Sequence, residues 1–563
     1  GDIFVDASDI SILGGSWIQS ATLVGSLVSS DSVSSSVTIE ADTLEVNGPG
    51  SAIWTLSDTA VKAGDLDIDV ASIILDGGTT SNELVTGLLS QAKSSGSTGK
   101  IDVTSDELTI RNSGRVETFT SSGAGVADAV DITAGTVLID GAGTPITDTG
   151  IGIRSWADNG GNAGAVAVTS NVISILNGGE ISSITTGSGT GGDVTVTAGT
   201  VNVSGTRPTE FGPGSSGIYA RAIRGSSGDG GDLTVTADNI NLSTGGALAT
   251  VTDETTTGNA GDITINIGSL RMRTETGLTL VSSNARGSGE SGDVWIGGSN
   301  SEKAESVYIS GNAAISASSV GTAGRGGEIT VKARRLELWN GGRILSQAAG
   351  PGKGGNILIE ADGMMISGVG KTERDQFQAA GVASQSKLNL DNEGALLPPT
   401  GEAGDVTIRT DSLEIFDGGK VDVRTFSNAD AGDINIHTKE LTVSGRSSLI
   451  PNLSDNVSGI HSGVNALLDL VVSGNGGSVV IEADEIGLSN HGRISSVTDT
   501  KGDAGLIEIN AGNLSLTDNA QIVTQSTGAG NAGNISVTAS ELSLANAEVT
   551  TTAEATGAGG RIE

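Results

Sequence analysis

The stretch DVTVTAGTVNVSG, residues 193–205, carries the pattern that decides the fold. Val194 and Val196 alternate with threonine, and two further valines alternate with polar residues after a small turn. Alternation with a period of two is typical of a β-strand that has one buried face and one solvated face. The stretch therefore predicts two short strands separated by a bend.

A third short strand follows in the clearest copies of this pattern. In GGEISSI, residues 178–184, a Gly-Gly turn precedes the apolar residues Ile181 and Ile184, which we interpret as a third apolar pair. No segment keeps a 3.6-residue apolar period with capping residues, so no helix is predicted. Three strands and three turns in about 28 residues describe one turn of a solenoid, called a rung below.

The pattern is repeated along the whole chain. Its opening phrase recurs as GNAGAVAV at 161–168, GNAGDITI at 258–265, GEAGDVTI at 401–408 and GNAGNISV at 530–537. We define the anchor of each copy as the first apolar residue of the strand that follows this phrase. The 17 intervals between anchors are 27 to 49 residues long. The anchors are Ile3, Val37, Leu66, Ile101, Val130, Val166, Val194, Leu233, Ile263, Val294, Ile329, Ile357, Val406, Ile434, Val479, Ile507, Ile535 and Ile562.

A single rung cannot bury its own inward side chains, whereas rungs stacked about 4.8 Å apart bury each apolar residue against its equivalent in the next rung. We therefore predict an all-β protein, a single parallel β-helix of about 17 to 18 rungs over residues 1–563. Glycine is expected where a corner needs positive φ or where successive rungs approach closely. Two long intervals contain loop insertions, at 364–404 and 444–477, which are candidate binding surfaces.

Composition excludes several classes of protein. The chain has 87 Gly but only 8 Pro, and aromatic residues make up 2% of it, so it is not collagen-like. The absence of cysteine excludes disulfides, thiolate metal sites and cysteine nucleophiles. A formal net charge of −36 argues against nucleic acid or an anionic membrane as a partner and favours solubility and cation binding. No stretch is apolar enough for a transmembrane helix, so membrane insertion is not expected.

Units such as GNAGDITINIGSLRM, residues 258–272, and GGDVTVTAGTVNVSG, residues 191–205, resemble the repeats of filamentous-haemagglutinin-like exoproteins of two-partner secretion, especially the cyanobacterial ones. The resemblance covers essentially all of the chain, although the family's N-terminal secretion domain has no match in these residues. It implies a right-handed parallel β-helix, export through an outer-membrane secretion partner, and adhesion or fibre formation outside the cell.

Acidic residues recur immediately before the anchors. Four in succession, at Asp193, Asp232, Asp262 and Asp293, would place carboxylates one rung apart, and Ca²⁺ prefers such oxygen ligands. The alternative is that each aspartate accepts a hydrogen bond from the main chain at the glycine-rich corner. The sequence therefore offers these four residues as a Ca²⁺ ladder or as a set of corner caps. No other cofactor is expected, and the three histidines at 437, 461 and 491 are interpreted as outward-facing residues.

These features favour a structural or adhesive rod, or a segment of a filament, on the cell surface rather than an enzyme. Two alternatives remain open: a passive stalk that displays another domain, and a carbohydrate-active β-helix enzyme with converging carboxylates in a groove. Surface glycans and other cells are the expected partners of an adhesive rod. The chain begins GDIFV and ends GGRIE at nearly the same phase of the repeat, so association with further copies, head to tail or side by side, is also expected.

The charge predicts a response to divalent ions. A net charge of −36 spread over 17 intervals is about two negative charges per rung. Millimolar Ca²⁺ or Mg²⁺ should therefore promote side-by-side association by screening and bridging the chains. Static light scattering should rise when either ion is added at constant ionic strength. Unchanged scattering relative to NaCl would contradict this expectation.

Overall fold

The computed structural model describes the chain except residues 24–33, 80–84, 122, 124, 146–149, 210–211, 322–323, 373–375, 388, 391–395, 398–400, 427, 450–455 and 466–472. The described residues form two compact units, Gly1–Ile267 and Gly268–Glu563. Each unit is a parallel β-helix, built from one stack of long strands and one stack of short strands. The parallel β-helix class is thus confirmed, and the single array over residues 1–563 stays a prediction.

The first unit contains eight complete pairs of long and short strands. Its long strands are Ile3–Leu13, Val37–Asn47, Leu66–Asp76, Ile101–Arg111, Val130–Asp140, Val166–Leu176, Val194–Ser204 and Leu233–Ser243. Its short strands are Trp17–Thr22, Ala52–Ser57, Thr86–Ala92, Gly114–Thr120, Gly152–Ala157, Glu180–Thr186, Gly217–Ile223 and Ala247–Thr252. An antiparallel hairpin, Thr206–Thr209 with Gly212–Ser215, is inserted between the long strand Val194–Ser204 and the short strand Gly217–Ile223. The 23-residue strand Ile263–Ala285 contains the boundary between the units.

The second unit repeats the same arrangement. Its long strands are Ile329–Trp339, Ile357–Ser367, Val406–Phe416, Ile434–Ser444, Val479–Ser489, Ile507–Thr517 and Ile535–Ala545. Its short strands are Arg343–Ala349, Gly381–Lys387, Lys420–Thr425, Gly459–Val464, Arg493–Thr498, Gln521–Ser526 and Glu548–Ala553. One further rung consists of Val294–Gly297 and Ala304–Ser319, interrupted by the 3-10 turn Ser299–Ser301. Two antiparallel hairpins, Val369–Lys371 with Phe377–Ala379 and Asn389–Leu390 with Leu396–Leu397, lie in the predicted 364–404 insertion.

The predicted anchors fix the register of the stacks. Seventeen of the 18 anchors open a strand, and the last, Ile562, forms a bridge with Ile535. Consecutive anchors are paired in parallel, as Val166 is with Val194 and Val194 is with Leu233. The anchor side chains that have a rung on either side are buried, and Val194 has no exposed surface. The repeat phase derived from the sequence is confirmed.

Each long strand contains two of the three strands predicted for a rung. In Val166–Leu176 the inward residues are Val166, Val168 and Ser170, and the inward phase resumes at Ile173 after two consecutive outward residues. The strand therefore bends in its middle. Ser170 stabilises the bend because its hydroxyl donates to the carbonyl oxygens of Gly135, at 3.1 Å, and Val172, at 3.0 Å.

The inward face of the short strands is more polar than the sequence pattern suggested. Ile181 is inward as predicted, but Ile184 lies in the outward register, aligned with Trp156 and Arg221 on the neighbouring strands. Both isoleucines of the predicted apolar pair are buried, but they point to opposite faces of the strand because they are three residues apart. The second inward residue is Ser183, which is fully buried.

The buried serine binds the glycine corner that precedes the next anchor. The Ser183 hydroxyl donates to the Gly164 carbonyl oxygen and accepts from the Gly192 N–H, both at 3.0 Å, so it links two successive corners. Ser346 bridges two corners of the second unit in the same way, donating to Gly327 and accepting from Gly355. These bonds pair main-chain N–H and C=O groups of the corners, which lie outside the hydrogen-bonded strands.

Glycine at the corner is required by close approach of the chain rather than by φ. A Cβ atom on Gly192 would lie 2.1 Å from the Gly164 carbonyl oxygen, and one on Gly231 would lie 2.1 Å from that of Gly192. Positive φ is used elsewhere, at turns between a long and a short strand, such as Asn177 with φ 52° and Gly178 with φ 82°.

The inward and outward assignments predict opposite effects of one substitution at adjacent residues. Val196→Asp should lower the free energy of unfolding by about 3 to 5 kcal/mol, because it places an unpaired carboxylate in the core. Thr195→Asp, on the exposed face of the same strand, should change it by less than about 0.5 kcal/mol. Urea unfolding of both variants beside the parent chain measures the difference. Equal losses would contradict the assignment.

Candidate functional site

The predicted aspartates form a hydrogen-bonded ladder along the corners. In the first unit Asp193 Oδ1 accepts the N–H of Asp232 at 2.9 Å, and Asp232 Oδ1 accepts the N–H of Asp262 at 2.8 Å. In the second unit Asp293 Oδ1 accepts the N–H of Glu328 at 2.7 Å. Each of these carboxylates therefore caps the residue of the same register one rung further along.

A second ladder runs parallel to the first, three residues earlier in the chain. In the first unit Asp229 Oδ1 accepts the N–H of Asn259 at 2.7 Å. In the second unit Asn475 Oδ1 accepts the N–H of Asp503 at 2.9 Å, and Asp503 Oδ1 accepts that of Asn531 at 2.7 Å. The repeated phrase G-(D/N)-(A/G)-G-(D/N) thus supplies both ladders, and asparagine and aspartate are equivalent as acceptors.

Stacked carboxylates repel one another. Burial and the carboxylates of Asp262 and Asp193 raise the pKa of Asp232, although the N–H donated by Asp262 acts in the opposite direction. Within the described ranges, no group of three or more histidine, aspartate or glutamate side chains is arranged to hold a metal ion. The ladder geometry supports the corner-cap alternative, and the Ca²⁺ ladder stays a prediction.

A buried ionic cluster lies on the short-strand stack of the first unit. Arg154, 1% exposed, pairs through Nε with Glu117, and its Nη1 atom is 3.9 Å from Oε1 of Glu180. Arg221 Nη1 donates to Oε2 of Glu180 at 3.2 Å, and its guanidinium stacks 3.6 Å from the ring centroid of Tyr219. Glu117 and Glu180 are thus both buried, and both lie beside the guanidinium of Arg154.

Basic residues collect on the short-strand stack of the second unit. We define the cationic groove by five side chains, Arg343, Lys387, Lys420, Arg424 and Arg493. Arg343, Lys420 and Arg493 share one register and alternate with glycine, in the order Arg343, Gly381, Lys420, Gly459, Arg493. Among the described residues that line the two cavities there is one carboxylate, Asp422, which accepts from Arg424 Nε at 2.6 Å.

Two cavities form the groove and share Arg424. The first, about 350 Å³, extends from Arg343 to Phe426, and the second, about 310 Å³, extends from Arg424 to Gln525. The 364–404 insertion contributes Phe377 to the wall of the first cavity, and residues 457–465 of the second predicted insertion line the other. Both predicted insertions also contain a regular short strand, Gly381–Lys387 and Gly459–Val464, so the predicted bounds are too wide, and the role of the insertions as binding surfaces stays a prediction.

The Arg343 guanidinium is only partly exposed to solvent, whereas Lys387 is exposed. Burial lowers the pKa of Arg343 to about 10, and its buried Nε has no hydrogen-bond partner in the described part of the chain. Burial and the positive charge of Arg343 also lower the pKa of Lys387, against the attraction of Asp422. The Arg343 guanidinium is still cationic at neutral pH.

The sequence contained a signal for this groove that the pattern analysis missed. A basic residue directly follows a glycine at the start of three short strands, in GGRIL at 341–345, GGKVD at 418–422 and HGRIS at 491–495. Of the histidines, His461 lines the groove and is bound to Ser495 Oγ at 2.9 Å, His437 contacts Glu482 on the long-strand stack, and His491 contacts Arg446. The three basic residues are brought into one register only by the stacking of rungs of unequal length.

Comparison with family models, curated proteins and solved structures gives no match to this chain. In the part of the chain that the structure describes, no helix is long and apolar enough to cross a membrane. The candidate site therefore rests on its own geometry.

The Asp232 ladder predicts a pH-dependent effect of a neutral substitute. Asp232→Asn keeps the acceptor oxygen, as Asn534 does toward the N–H of Arg561 at 2.8 Å, but removes the repulsion. The folded-state pKa of Asp232 is raised, so folding favours the protonated form of this carboxyl group. The contribution of the group to the free energy of unfolding is therefore fully present below its unfolded-state pKa of about 3.9 and is lost as pH rises through the folded-state pKa.

Asp232→Asn should therefore raise the unfolding free energy at pH 7 by a few tenths of a kcal/mol, a small gain because the residue is exposed, and the gain should vanish near pH 3. Asp232→Ala is the matched control, since it loses the acceptor and should destabilise by about 1 kcal/mol. Urea unfolding at both pH values tests this. A loss of stability in the asparagine variant at pH 7 would contradict it.

Proposed function

We propose that the chain is a structural and adhesive part of an extracellular surface filament and has no enzymatic activity of its own. One observation carries this proposal. Within each unit, outward-facing positions on one strand lie directly beside the equivalent positions on the next parallel strand, as Thr195 lies beside Thr234. A surface that presents the same registers many times can make many weak contacts at once, and linked contacts give avidity that one contact cannot.

The internal bonding supports a structural role. Adjacent rungs within each unit are joined by parallel main-chain pairing, by buried serines at the corners and by the carboxylate and amide ladders. This network stabilises the stack without disulfides, since the chain contains no cysteine. The resemblance to filamentous-haemagglutinin-like exoproteins supports the same role. Export through an outer-membrane partner, self-association and contact with surface glycans or other cells belong to this proposal.

The surface location is tested by labelling cells that produce the protein. Antibody raised against the purified chain should label intact cells, and external protease should remove the label while an internal marker enzyme stays protected. In cells that were not treated with protease, labelling should be equal before and after permeabilisation. Label that appears only after permeabilisation would overturn the proposal.

A further inference from the structure

We propose that the long-strand stack of the second unit binds a neutral, β-linked polysaccharide on a strip of aromatic and acidic side chains. We define the aromatic strip by Tyr308, Glu337, Trp339, Glu414 and Phe416. This inference rests on the proposed adhesive function, because it names the class of surface polymer that the protein holds. Three features of the strip carry it: the concentration of rings, their spacing and the carboxylate beside each ring.

Aromatic residues, which are rare in this chain, are concentrated on the strip. The chain has only 5 Trp, 2 Tyr and 6 Phe. Tyr308, Trp339 and Phe416 occupy two neighbouring outward registers of four successive strands, which together offer eight positions. At the aromatic content of the chain, 2%, eight positions would hold fewer than one ring. All three side chains are only half-buried, so part of each ring faces solvent.

The spacing of the rings matches a polymer of sugars. Trp339 and Phe416 share one register and are separated by Ser367 on the strand between them, so they are about 9.6 Å apart along the stack. An extended chain of β-linked pyranoses advances by roughly one strand spacing per ring and turns each ring over. Every second sugar therefore presents the same face to the strip. Ser367 is small and buried, so no large side chain of this register stands between the two rings.

Each ring of this pair has a carboxylate beside it. The same pattern occurs on both strands, as LELW at 336–339 and LEIF at 413–416, so Glu337 and Glu414 lie in the neighbouring outward register. Glu337 Oε2 accepts the indole N–H of Trp339 at 3.1 Å, which holds the ring in place. Carboxylates accept hydrogen bonds from sugar hydroxyls but repel an acidic polymer. A neutral polysaccharide therefore fits the strip better than an anionic one.

Tyr308 extends the strip by one strand. It lies directly beside Glu337 in the register of the carboxylates, and the guanidinium of Arg271 is 5.0 Å from the centroid of its ring. The strip thus alternates ring surface with hydrogen-bonding groups. This mixture suits a sugar, which has apolar C–H faces and a rim of hydroxyls, better than it suits an apolar peptide.

The probe is cellohexaose, a soluble neutral oligomer, titrated into the whole 1–563 chain by calorimetry. Binding should be saturable and should change by less than about twofold between low and moderate NaCl, because no ionic contact is involved. Maltohexaose, whose α-linkages curve the chain, and hexagalacturonate, which is charged, should each bind at least about tenfold more weakly. These arms need no protein variant, so they test the proposal even if substitutions in the strip impair folding.

The variant Trp339→Ala with Phe416→Ala should weaken cellohexaose binding at least about tenfold, because stacking on two rings is lost. Trp295→Ala with Phe377→Ala is the matched control: it removes one tryptophan and one phenylalanine of the same unit that lie outside the strip and have exposed surface. It should leave the affinity within about twofold. Circular dichroism and the unfolding midpoint establish that both double variants are folded.

Four results would overturn the assignment: no binding of cellohexaose, equal binding of maltohexaose, equal affinity of the strip variant and its control, or tighter binding of hexagalacturonate or a decaproline peptide. Surface labelling of cells together with any of these results would reject the ligand and leave the adhesive function standing. Cellohexaose binding by a protein found only inside cells would reject the adhesive function instead.

Discussion

Main-chain contact between successive rungs at the glycine corner is the constraint on which the rest of each unit depends. A Cβ atom at Gly192 would lie 2.1 Å from the carbonyl oxygen of Gly164, so any side chain here would force the rungs apart. The corner in turn leaves main-chain groups outside the strands, and buried Ser183 satisfies two of them. Glycine and serine, rather than large apolar residues, therefore set how tightly the rungs pack.

The same corner explains why so many acidic residues are tolerated. An outward Asp or Asn beside the glycine accepts the N–H of the equivalent residue one rung further on, which holds the register of the stack. Burial, and to a smaller extent repulsion by the neighbouring carboxylates of Asp262 and Asp193, raises the pKa of Asp232 in this arrangement. The fold thus places carboxylates along its corners and a group of basic residues on the short-strand stack of the second unit.

Much of the fold could be predicted from particular residues. The anchors were recognisable because an inward aliphatic side chain must recur at one phase of each repeat, and the bend in the long strand was recognisable from the separated pairs Val194 with Val196 and Val201 with Val203. The short strand was predicted less well. Ser183 is inward and Ile184 is in the outward register, because hydrogen bonding to the corner, not hydrophobicity, decides which face of that strand is turned inside.

The sequence by itself determined the class of fold, the repeat phase and the recurrence of Asp and Asn at the corners, since these depend on a local period of two and on one repeated phrase. Only the tertiary structure decided which distant residues meet. Arg343 and Lys420 are 77 positions apart in the sequence and Lys420 and Arg493 are 73 apart, with one insertion in each interval, so the basic 28-residue period does not relate them. Parallel pairing of strands with the same register removes those insertions from the stack and places the three cations in one line.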